Sequence, residues 1–308
     1  MSKQRKKPAL ACGLRRDTSL YIFISRLYHV STKIGNGEHL MTEEKPRFSF
    51  SDIRTFQECP FRLRERKAKR YAESPTEAML VGLYAHAMLE GDKSTDDFVQ
   101  EHSVDMMGNL GKKNQAIKKV FKDIVMAVNE VKKTETYQSF DTLHTHKELY
   151  IRADYDDFVI SGRIDVLRFD HENKIIEIID WKTAASFEDV FDKNIRAYLE
   201  WYSHYREQLA LYAWLVAQEF SDYTKFDYTV VGKIVGFTKK LPVNIKTITM
   251  DFGKLADISD KILVQTVLSE LDNIAHNIER EGMDGYFCHN CDCCIQNKKY
   301  EELEVEVW

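Results

Sequence analysis

The fold is decided by residues 158–183, which read FVISGRIDVLRFDHENKIIEIIDWKT. Two β-rich runs, 158–169 and 174–182, flank the polar segment 171–174, which is typical of a hairpin turn. The second run contains four isoleucines within five positions, so we expect a buried core strand. The stretch therefore predicts two long antiparallel strands at the centre of a sheet.

Charged residues lie inside the first of these strands, at Asp165, and at the end of the second, at Asp180 and Lys182. Residues two apart on a strand share a face, so Asp180 and Lys182 point one way and Trp181 the other. If the strands pair through the predicted turn, Asp165 lies close to Asp180. Two adjacent carboxylates repel each other unless a divalent cation lies between them, and Mg²⁺ prefers such oxygen ligands. A lysine beside that ion can orient the attacking water or stabilise charge on a phosphate. The alternative is a solvated strand face or a surface ion pair.

The elements around the hairpin extend the sheet and cover it. An apolar periodicity near 3.6 predicts helices, and β-rich runs predict further strands. The predicted helices are 49–70, 76–90, 114–133, 198–219 and 254–281, and the further strands are 147–152, 226–237 and 244–250. This order predicts an α/β fold with a mixed central sheet flanked by helices, an N-terminal helical region and a C-terminal cysteine cluster.

Composition bounds the class of protein. The chain has 308 residues, of which 44% are hydrophobic and 12% aromatic, enough for one large domain with a real core. The net charge of −5 does not favour binding of nucleic acid by bulk charge alone, although it does not exclude local basic surfaces. The apolar run 20–24 is too short to cross a bilayer, so we expect a soluble protein without a membrane partner.

The two ends differ from the middle. Residues 1–41 contain eight lysines and arginines against two acids. A disordered arm, or a translation start placed too early with Met41 as the true start, is the favoured interpretation, and a transit peptide is the alternative. We therefore expect a basic extension at 1–41, one structured domain at 42–298 and an acidic tail at 299–308.

Five short motifs follow one another along the chain: Cys59-Pro60-Phe61, Gly82-Leu83-Tyr84-Ala85-His86, Gly162-Arg163-Ile164-Asp165, Asp180-Trp181-Lys182-Thr183 and Gln208-Leu209-Ala210-Leu211-Tyr212. In this order and spacing the chain resembles the PD-(D/E)xK nuclease superfamily, specifically its RecB-like branch. The resemblance covers residues 48–298. It implies a restriction-endonuclease-like core.

The resemblance implies a role for each matching position. A site for Mg²⁺ or Mn²⁺ would be formed by His86, Asp165, Asp180 and the main-chain carbonyl of Trp181. The catalytic group would comprise Asp165, Asp180, Lys182, Gln208 and Tyr212. Lys182 would position or activate the water, and Gln208 and Tyr212, at i and i+4 on one helix, would face the active site and the DNA. Glu148, on the strand before Asp165, is a further candidate carboxylate.

Six cysteines are present, and four of them lie within residues 288–294. Such crowding indicates metal ligation rather than a disulfide framework. Cys288, Cys291 and Cys294 have C-x-x-C-x-x-C spacing and, with Cys59, match the iron–sulfur variant of the family, which implies a [4Fe–4S] cluster. The extra Cys293 and the compact spacing depart from the family pattern. Zinc, held by the same thiolates or with His289, is the main alternative, and free thiols are the third.

A basic run follows Cys59 directly, and its members are candidates for contacts with DNA phosphates: Arg62, Arg64, Arg66 and Lys67. The alternative for such a charge run is a solvated helix face.

The sequence thus predicts a Mg²⁺- or Mn²⁺-dependent deoxyribonuclease, most simply an exonuclease of recombination, repair or phage DNA processing. We expect it in the cytoplasm of a bacterium or phage-infected cell, with DNA as substrate and a helicase or recombinase as partner. A CRISPR-associated RecB-like exonuclease is the second hypothesis within this class. The hypothesis from another class is a non-catalytic DNA-binding or scaffolding subunit. The intact Asp165, Asp180 and Lys182 argue against that one.

Overall fold

The structure is a computed structural model that describes residues 45–109, 111, 113, 115–142, 144–192, 196–278, 288 and 290–296. The predicted basic extension, 1–41, and the predicted acidic tail, 299–308, lie outside the described residues. No helix among the described residues is long and apolar enough to cross a lipid bilayer.

The elements alternate between helical and extended segments along the chain. The helices are α1 (Phe50–Glu58), α2 (Pro60–Lys67), α3 (Glu77–Glu90), α4 (Asp92–Met106), α5 (Lys119–Lys132), α6 (Glu135–Phe140), α7 (Ser203–Glu219) and α8 (Ile262–Asn277). Residues 292–296 form a further short helical segment. The strands are β1 (Arg47–Phe48), β2 (Met107–Gly108), β3 (Ala116–Ile117), β4 (Thr145–Tyr155), β5 (Phe158–Asp170), β6 (Ile175–Ala184), β7 (Val190–Asp192), β8 (Ala197–Leu199), β9 (Thr229–Thr238) and β10 (Ile245–Lys254).

A six-stranded mixed sheet forms the centre of the protein. Its order is β1-β5-β6-β9-β10, and β4 also pairs with β5. The β4–β5, β5–β6 and β9–β10 pairs are antiparallel, whereas β1–β5 and β6–β9 are parallel. This arrangement is the predicted mixed sheet flanked by helices, and the predicted hairpin of β5 and β6 is confirmed.

The pairing of β5 leaves a fork in the sheet. On one side, β4 pairs with almost the whole length of β5. On the other side, β1 pairs only with Val159 and Ile160, and β6 pairs only from Val166 onward. Residues 161–165 of β5 therefore lie between the end of one neighbour and the start of the next, and this fork is where the functional side chains gather.

One face of the sheet packs against α3, α4 and α5. Val166, Ile179 and Trp181 join a cluster of buried residues that includes Tyr84 and Phe121 of those helices. Burial of these side chains stabilises β6, which carries Lys182, since each large apolar side chain contributes about 1.5–3 kcal/mol. The prediction that Trp181 points away from Lys182 is confirmed, and its side chain lies in this core cluster.

The structure corrects four predicted helix boundaries. The helix predicted from 114 begins at Lys119, because β3 occupies Ala116–Ile117. The helix predicted at 49–70 is two helices, because Cys59 is extended (φ −163°, ψ 99°) and Pro60 cannot donate the backbone hydrogen bond that would continue α1. The helix predicted from 254 begins at Ile262, after a 3₁₀ turn over Leu255–Asp260. The helix predicted from 198 begins at Ser203, because β8 occupies the first positions.

Candidate active site

The carboxylate of Asp165 lies at the fork between β5 and β6. The last pair of the β5–β6 ladder is Val166 with Ile179. Asp165 and Asp180 are the neighbours of these two residues in the sequence, and they lie just beyond the end of the ladder. Instead of continuing the ladder, the Trp181 amide donates a hydrogen bond to Asp165 Oδ2 at 2.7 Å. The side chain thus takes the place of a backbone acceptor, and it is fixed by the strand that carries the Asp-x-Lys motif.

Helix α3 brings His86 to the same carboxylate. His86 Nδ1 lies 3.3 Å from Asp165 Oδ1 and 3.9 Å from Glu148 Oε1. Thr76 caps the start of α3 by accepting a hydrogen bond from the Met79 amide. His86, Glu148 and Asp165 each offer a ligand atom, and these atoms lie within 4.8 Å of one another.

Glu148 has an unusual backbone conformation for a strand residue. Its φ of 49° is left-handed, while its neighbours Lys147 and Leu149 pair normally with Val166 and Ile164. A left-handed φ is costly for a residue with a Cβ and is found most often at functional sites. The distortion occurs at the one position of β4 that faces Asp165 in the register, so it directs a second carboxylate to the metal-ligand group.

A second chain of contacts runs from β6 to α7. Lys182 Nζ lies 2.7 Å from Asp180 Oδ2 and donates a hydrogen bond to Gln208 Oε1 at 3.1 Å. Gln208 Nε2 in turn donates to the Tyr212 hydroxyl at 2.7 Å. Lys182 Nζ also lies 4.7 Å from the centre of the Tyr205 ring, within the range of a cation–π contact. Two side chains of α7, Tyr205 and Gln208, therefore contact the lysine, and Tyr212 fixes Gln208.

Close approach of α7 to β5 depends on Gly162. A Cβ at this position would lie 2.7 Å from Tyr212 Cε1 and 3.0 Å from Leu215 Cδ1. Real Cβ atoms do not approach other carbons so closely, so a larger residue would push Tyr212 and the helix away from the fork. The glycine of the Gly162-Arg163-Ile164-Asp165 motif thus allows Tyr212 and Gln208 to reach the site.

Burial and opposite charges set the protonation of the histidine–aspartate pair. Burial alone would lower the pKa of the His86 imidazole, but the charge and hydrogen bond of Asp165 outweigh it and raise the pKa to about 9. For Asp165, burial opposes ionisation, yet the contact with His86 and the nearby Lys182 hold its pKa below the usual range. The pair is an imidazolium and a carboxylate at neutral pH.

The other two carboxylates bind protons more readily. Burial and the charge of Asp165 raise the pKa of Glu148 to about 7, against the opposing charge of His86. Burial also raises the pKa of Asp180, to about 6, although Lys182 favours its ionised form. For Lys182, burial would lower the pKa, but Asp180 and Asp165 outweigh it, so the pKa is raised and the side chain is an ammonium.

The residues at the fork fit a hard divalent cation. Carboxylate oxygens with one imidazole are ligands that Mg²⁺ and Mn²⁺ accept. Asp180 is 1% exposed, and its Oδ2 is paired with the Lys182 ammonium at 2.7 Å. His86 and Asp165 come together as predicted, Glu148 joins them, and the ligand roles of Asp180 and the Trp181 carbonyl stay predictions.

A second ligand set joins the two ends of the domain. The sulfur atoms of Cys59, Cys288, Cys291 and Cys294 lie within 4.8 Å of one another. Cys59 Sγ lies 3.5 Å and Cys288 Sγ 3.9 Å from Cys294 Sγ. Four thiolates around one ion with Zn–S bonds of about 2.3 Å would be separated by about 3.8 Å. These distances suit a single tetrahedral ion, whereas the C-x-x-C-x-x-C spacing is that of [4Fe–4S] proteins.

Cys293 lies beside this set and outside it. The Cys293 side chain is buried against the cluster cysteines and Phe61. Burial and the neighbouring Cys291 raise the pKa of its thiol to about 11. In Cys288, by contrast, burial is outweighed by hydrogen bonds from the Asn290 and Cys291 amides, and the pKa falls to about 7. The group of cysteine sulfurs that lie within 4.8 Å of one another includes Cys294 and not Cys293.

The basic run that follows Cys59 is largely engaged in ion pairs. Arg66 and Lys67 contact the buried carboxylate of Asp52 at 2.6 and 2.7 Å. Arg62 pairs with Glu58. Arg64 lies 3.3 Å from Glu65 and over the ring of Phe61. These contacts favour a structural role in joining α1 to α2, and the predicted contacts with DNA stay predictions.

Sequence patterns missed two residues of this region. Arg54 lines the cavity in front of Lys182, and Tyr205 covers the lysine. Arg54 lies one helical turn after Phe50, so its position on the same face of α1 was readable from the spacing. Tyr205 lies three residues before Gln208 and could have been placed in the same way.

Comparisons with known proteins bear on the same residues. The family DUF3799, described as a PDDEXK-like domain of unknown function, matches residues 49–297. A crystal structure of a candidate exonuclease from Eubacterium rectale aligns with a TM-score of 0.62 and 20% identity, over 85% of this chain and 94% of that one. At this identity the likeness shows the fold, which is restriction-endonuclease-like.

Two further comparisons give no information about the fold or the function. The solved structure of SSO0001 aligns at 15% identity over 82% of this chain and 86% of that one, with a TM-score of 0.32, which is too low to argue from. No curated protein matches the chain.

Proposed function

The chain belongs to the DUF3799 family of PDDEXK-like domains, and from this membership and the site at the fork we propose that it hydrolyses phosphodiester bonds in DNA with the help of Mg²⁺ or Mn²⁺. The observation that carries the proposal is the position of Asp165. One oxygen of its carboxylate faces His86, and the other accepts the hydrogen bond from Trp181. It thereby joins the metal-ligand group to the strand that carries Lys182.

The proposed roles follow from these contacts. His86, Asp165 and Glu148 would hold the ion, with Asp180 and the Trp181 carbonyl completing the ligand set. When bound, the ion would polarise a phosphoryl oxygen and make a bound water more acidic. The residues of the chain supply orientation and exclude bulk water, since Asp180 is buried and Lys182 is 17% exposed.

Lys182 acts in this proposal as a cation. Its raised pKa keeps the side chain protonated, so it is suited to orient the nucleophilic water or to stabilise negative charge on the phosphate. Gln208 Oε1 accepts a hydrogen bond from the ammonium and so directs it, while Tyr212 fixes the amide of Gln208. Tyr212 itself stays a neutral hydroxyl, because burial raises its pKa far above the usual value.

The cysteine set would act as a structural clamp. Cys59 lies between α1 and α2, and the other three ligands lie near the C-terminal end of the described residues. Metal ligation between such distant segments stabilises the fold that presents Arg54 and Lys182. We propose a [4Fe–4S] cluster from the cysteine spacing, with zinc as the alternative that the sulfur separations favour.

We propose an exonuclease of recombination, repair or phage DNA processing that acts in the cytoplasm and receives its substrate from a helicase or recombinase. The non-catalytic scaffolding subunit is the alternative. The contacts that run from Asp180 through Lys182 to Gln208 argue against it. A scaffold has no need to hold a half-buried ammonium between a carboxylate and an amide.

The test compares linear with covalently closed circular DNA. The full chain, purified without oxygen, is incubated with either substrate and Mg²⁺, Mn²⁺ or no added metal. We expect metal-dependent release of nucleotides from the linear DNA and an intact circle. Cleavage of the closed circle would contradict the exonuclease assignment while leaving a nuclease. No cleavage of any DNA with either metal would favour the scaffold.

A further inference from the structure

Two cavities meet at helix α1. The first, the catalytic cleft, has a volume of about 340 Å³ and is lined by Ser51, Arg54, Gly162, Lys182, Gln208 and Tyr212, among others. The second, the cysteine groove, has a volume of about 650 Å³ and is lined among others by Arg54, Gln57, Cys59, Arg62, His204 and Cys291. Phe50 and Arg54 line both cavities, so the catalytic cleft and the cysteine groove adjoin at these two residues.

Helix α1 forms one wall of both cavities. Its lining residues Phe50, Arg54, Gln57 and Glu58 have the spacing i, i+4, i+7 and i+8, which places them on one helix face. The eight steps from Phe50 to Glu58 rise about 12 Å. A strand that follows this wall would therefore run along it for about 12 Å.

Arg54 lies where the two cavities meet. Its side chain is exposed, and it forms no salt bridge or hydrogen bond with any residue in the described part of the chain. The neighbouring Arg62 and Arg66, in contrast, pair with Glu58 and Asp52. An unneutralised guanidinium at the mouth of a catalytic cleft is suited to bind a phosphate, for which it offers two parallel donors.

Other groups that can carry charge also line the groove. The carboxylate of Glu58 is paired with Arg62. Glu207 is half-buried, and burial together with the nearby Glu270 raises its pKa. Three of the clustered cysteines line the groove as well, and they would be bound to the proposed metal. Among the described residues that line the groove, Arg54 is therefore a cation with no carboxylate partner, and it is available to a phosphate.

We propose that one unpaired strand of DNA lies along α1 from the catalytic cleft into the cysteine groove, and that Arg54 binds its phosphate next to the one being cleaved. This inference rests on the proposed nuclease function. The reacting phosphate must reach Lys182 inside the cleft. A cleft of about 340 Å³ can hold a short stretch of one strand, whereas a duplex, with grooves about 6 and 12 Å wide, is too wide to lie inside it.

Binding of a fluorescent oligo-dT of about 20 nucleotides to the full chain, without added divalent metal, tests this path at several salt concentrations. The variants are Arg54→Gln, Arg54→Lys and the matched control Arg152→Gln, which removes an exposed arginine of β4 that lines neither cavity. We expect Arg54→Gln to weaken binding about 10-fold and to reduce the slope of log affinity against log salt by about 0.7, the value for one phosphate contact. Arg54→Lys should restore most of the slope, and the control should change neither quantity.

The outcomes separate this path from the nuclease proposal. An unchanged salt slope in Arg54→Gln would overturn the path, even if the wild-type chain cleaves DNA. An equal loss in Arg152→Gln would overturn it too, because bulk charge would then explain the binding. Tighter binding of a blunt duplex than of oligo-dT would contradict the single-strand assignment. If Arg54→Gln lowers the slope but the wild-type chain cleaves no DNA, Arg54 still binds a phosphate of the strand and the nuclease proposal fails.

Discussion

The Trp181 amide donates a 2.7 Å hydrogen bond to Asp165 Oδ2, and this contact crosses the fork at which β5 and β6 separate. The same carboxylate holds His86 through its other oxygen. A single side chain therefore ties the helix that carries the histidine to the strand that carries the Asp-x-Lys motif. Its charge also controls the protonation of that histidine.

The first prediction concerns Asp165→Asn. The amide has the size of the carboxylate but no charge, so the main influence that raises the pKa of His86 is lost. We expect the pKa of His86 to fall from about 9 to near or below its ordinary value, because burial alone lowers it. Titration of the imidazole signals by NMR in the metal-free protein measures this shift. An unchanged pKa would mean that Asp165 does not contact His86 in solution.

The second prediction concerns the pH dependence of metal binding. Metal ligands must be deprotonated, and the metal-free site has pKa values of about 9 for His86, about 7 for Glu148 and about 6 for Asp180. An incoming ion must displace these protons at low pH. We therefore expect Mn²⁺ affinity to rise steadily between pH 6 and pH 9, with proton release on binding. Calorimetry in buffers of different ionisation enthalpy measures both, and pH-independent affinity would argue against these ligands.

The third prediction concerns Gln208→Leu. Loss of the amide removes the acceptor that directs Lys182 and the donor to Tyr212. We expect kcat to fall by about 10²-fold with little change in KM, since the ammonium stays in the site but is misdirected. Gln218→Leu, at an exposed position of the same helix, is the matched control and should retain full activity. Equal losses in both variants would point to general damage of α7.

The fourth prediction concerns the cysteines. Cys294→Ala removes one of the four clustered thiols, so we expect the purified protein to lose most of its bound iron or zinc and to unfold at a lower temperature. Cys293→Ala changes a buried thiol outside the set and should retain the metal. Metal analysis and the visible spectrum measure both effects, and a broad absorbance that accompanies iron distinguishes a cluster from zinc. Loss of metal in Cys293→Ala alone would reverse the ligand assignment.

The sequence was sufficient to predict the hairpin and the residues that meet at its end. Alternating and continuous apolar runs placed β5 and β6, and the period of two placed Asp180 and Lys182 on one face, as the structure has them. The i, i+4 spacing also predicted that Gln208 and Tyr212 share a face. These features depend on local periodicity, which a single sequence carries.

Other features depend on tertiary contacts that leave no local pattern. Helix α4 was missed because only Phe98 and Met106 of its fifteen residues are buried, so it has no apolar stripe. The left-handed φ of Glu148 arises from its position opposite Asp165, which pairing of β4 with β5 determines. The free charge of Arg54 became evident only once the partners of the surrounding arginines were known.

The most direct test of the central claim is cleavage of end-labelled linear DNA with Mn²⁺ by Lys182→Ala beside its matched control, Lys246→Ala, which removes an exposed lysine of β10. Within the part of the chain that the structure describes, Lys182 contacts both Asp180 and Gln208, so it links the Asp-x-Lys strand to α7. We predict a fall in kcat of about 10³-fold for Lys182→Ala and wild-type activity for Lys246→Ala. Metal-dependent cleavage at the wild-type rate by Lys182→Ala would contradict the assignment of the fork as the active site.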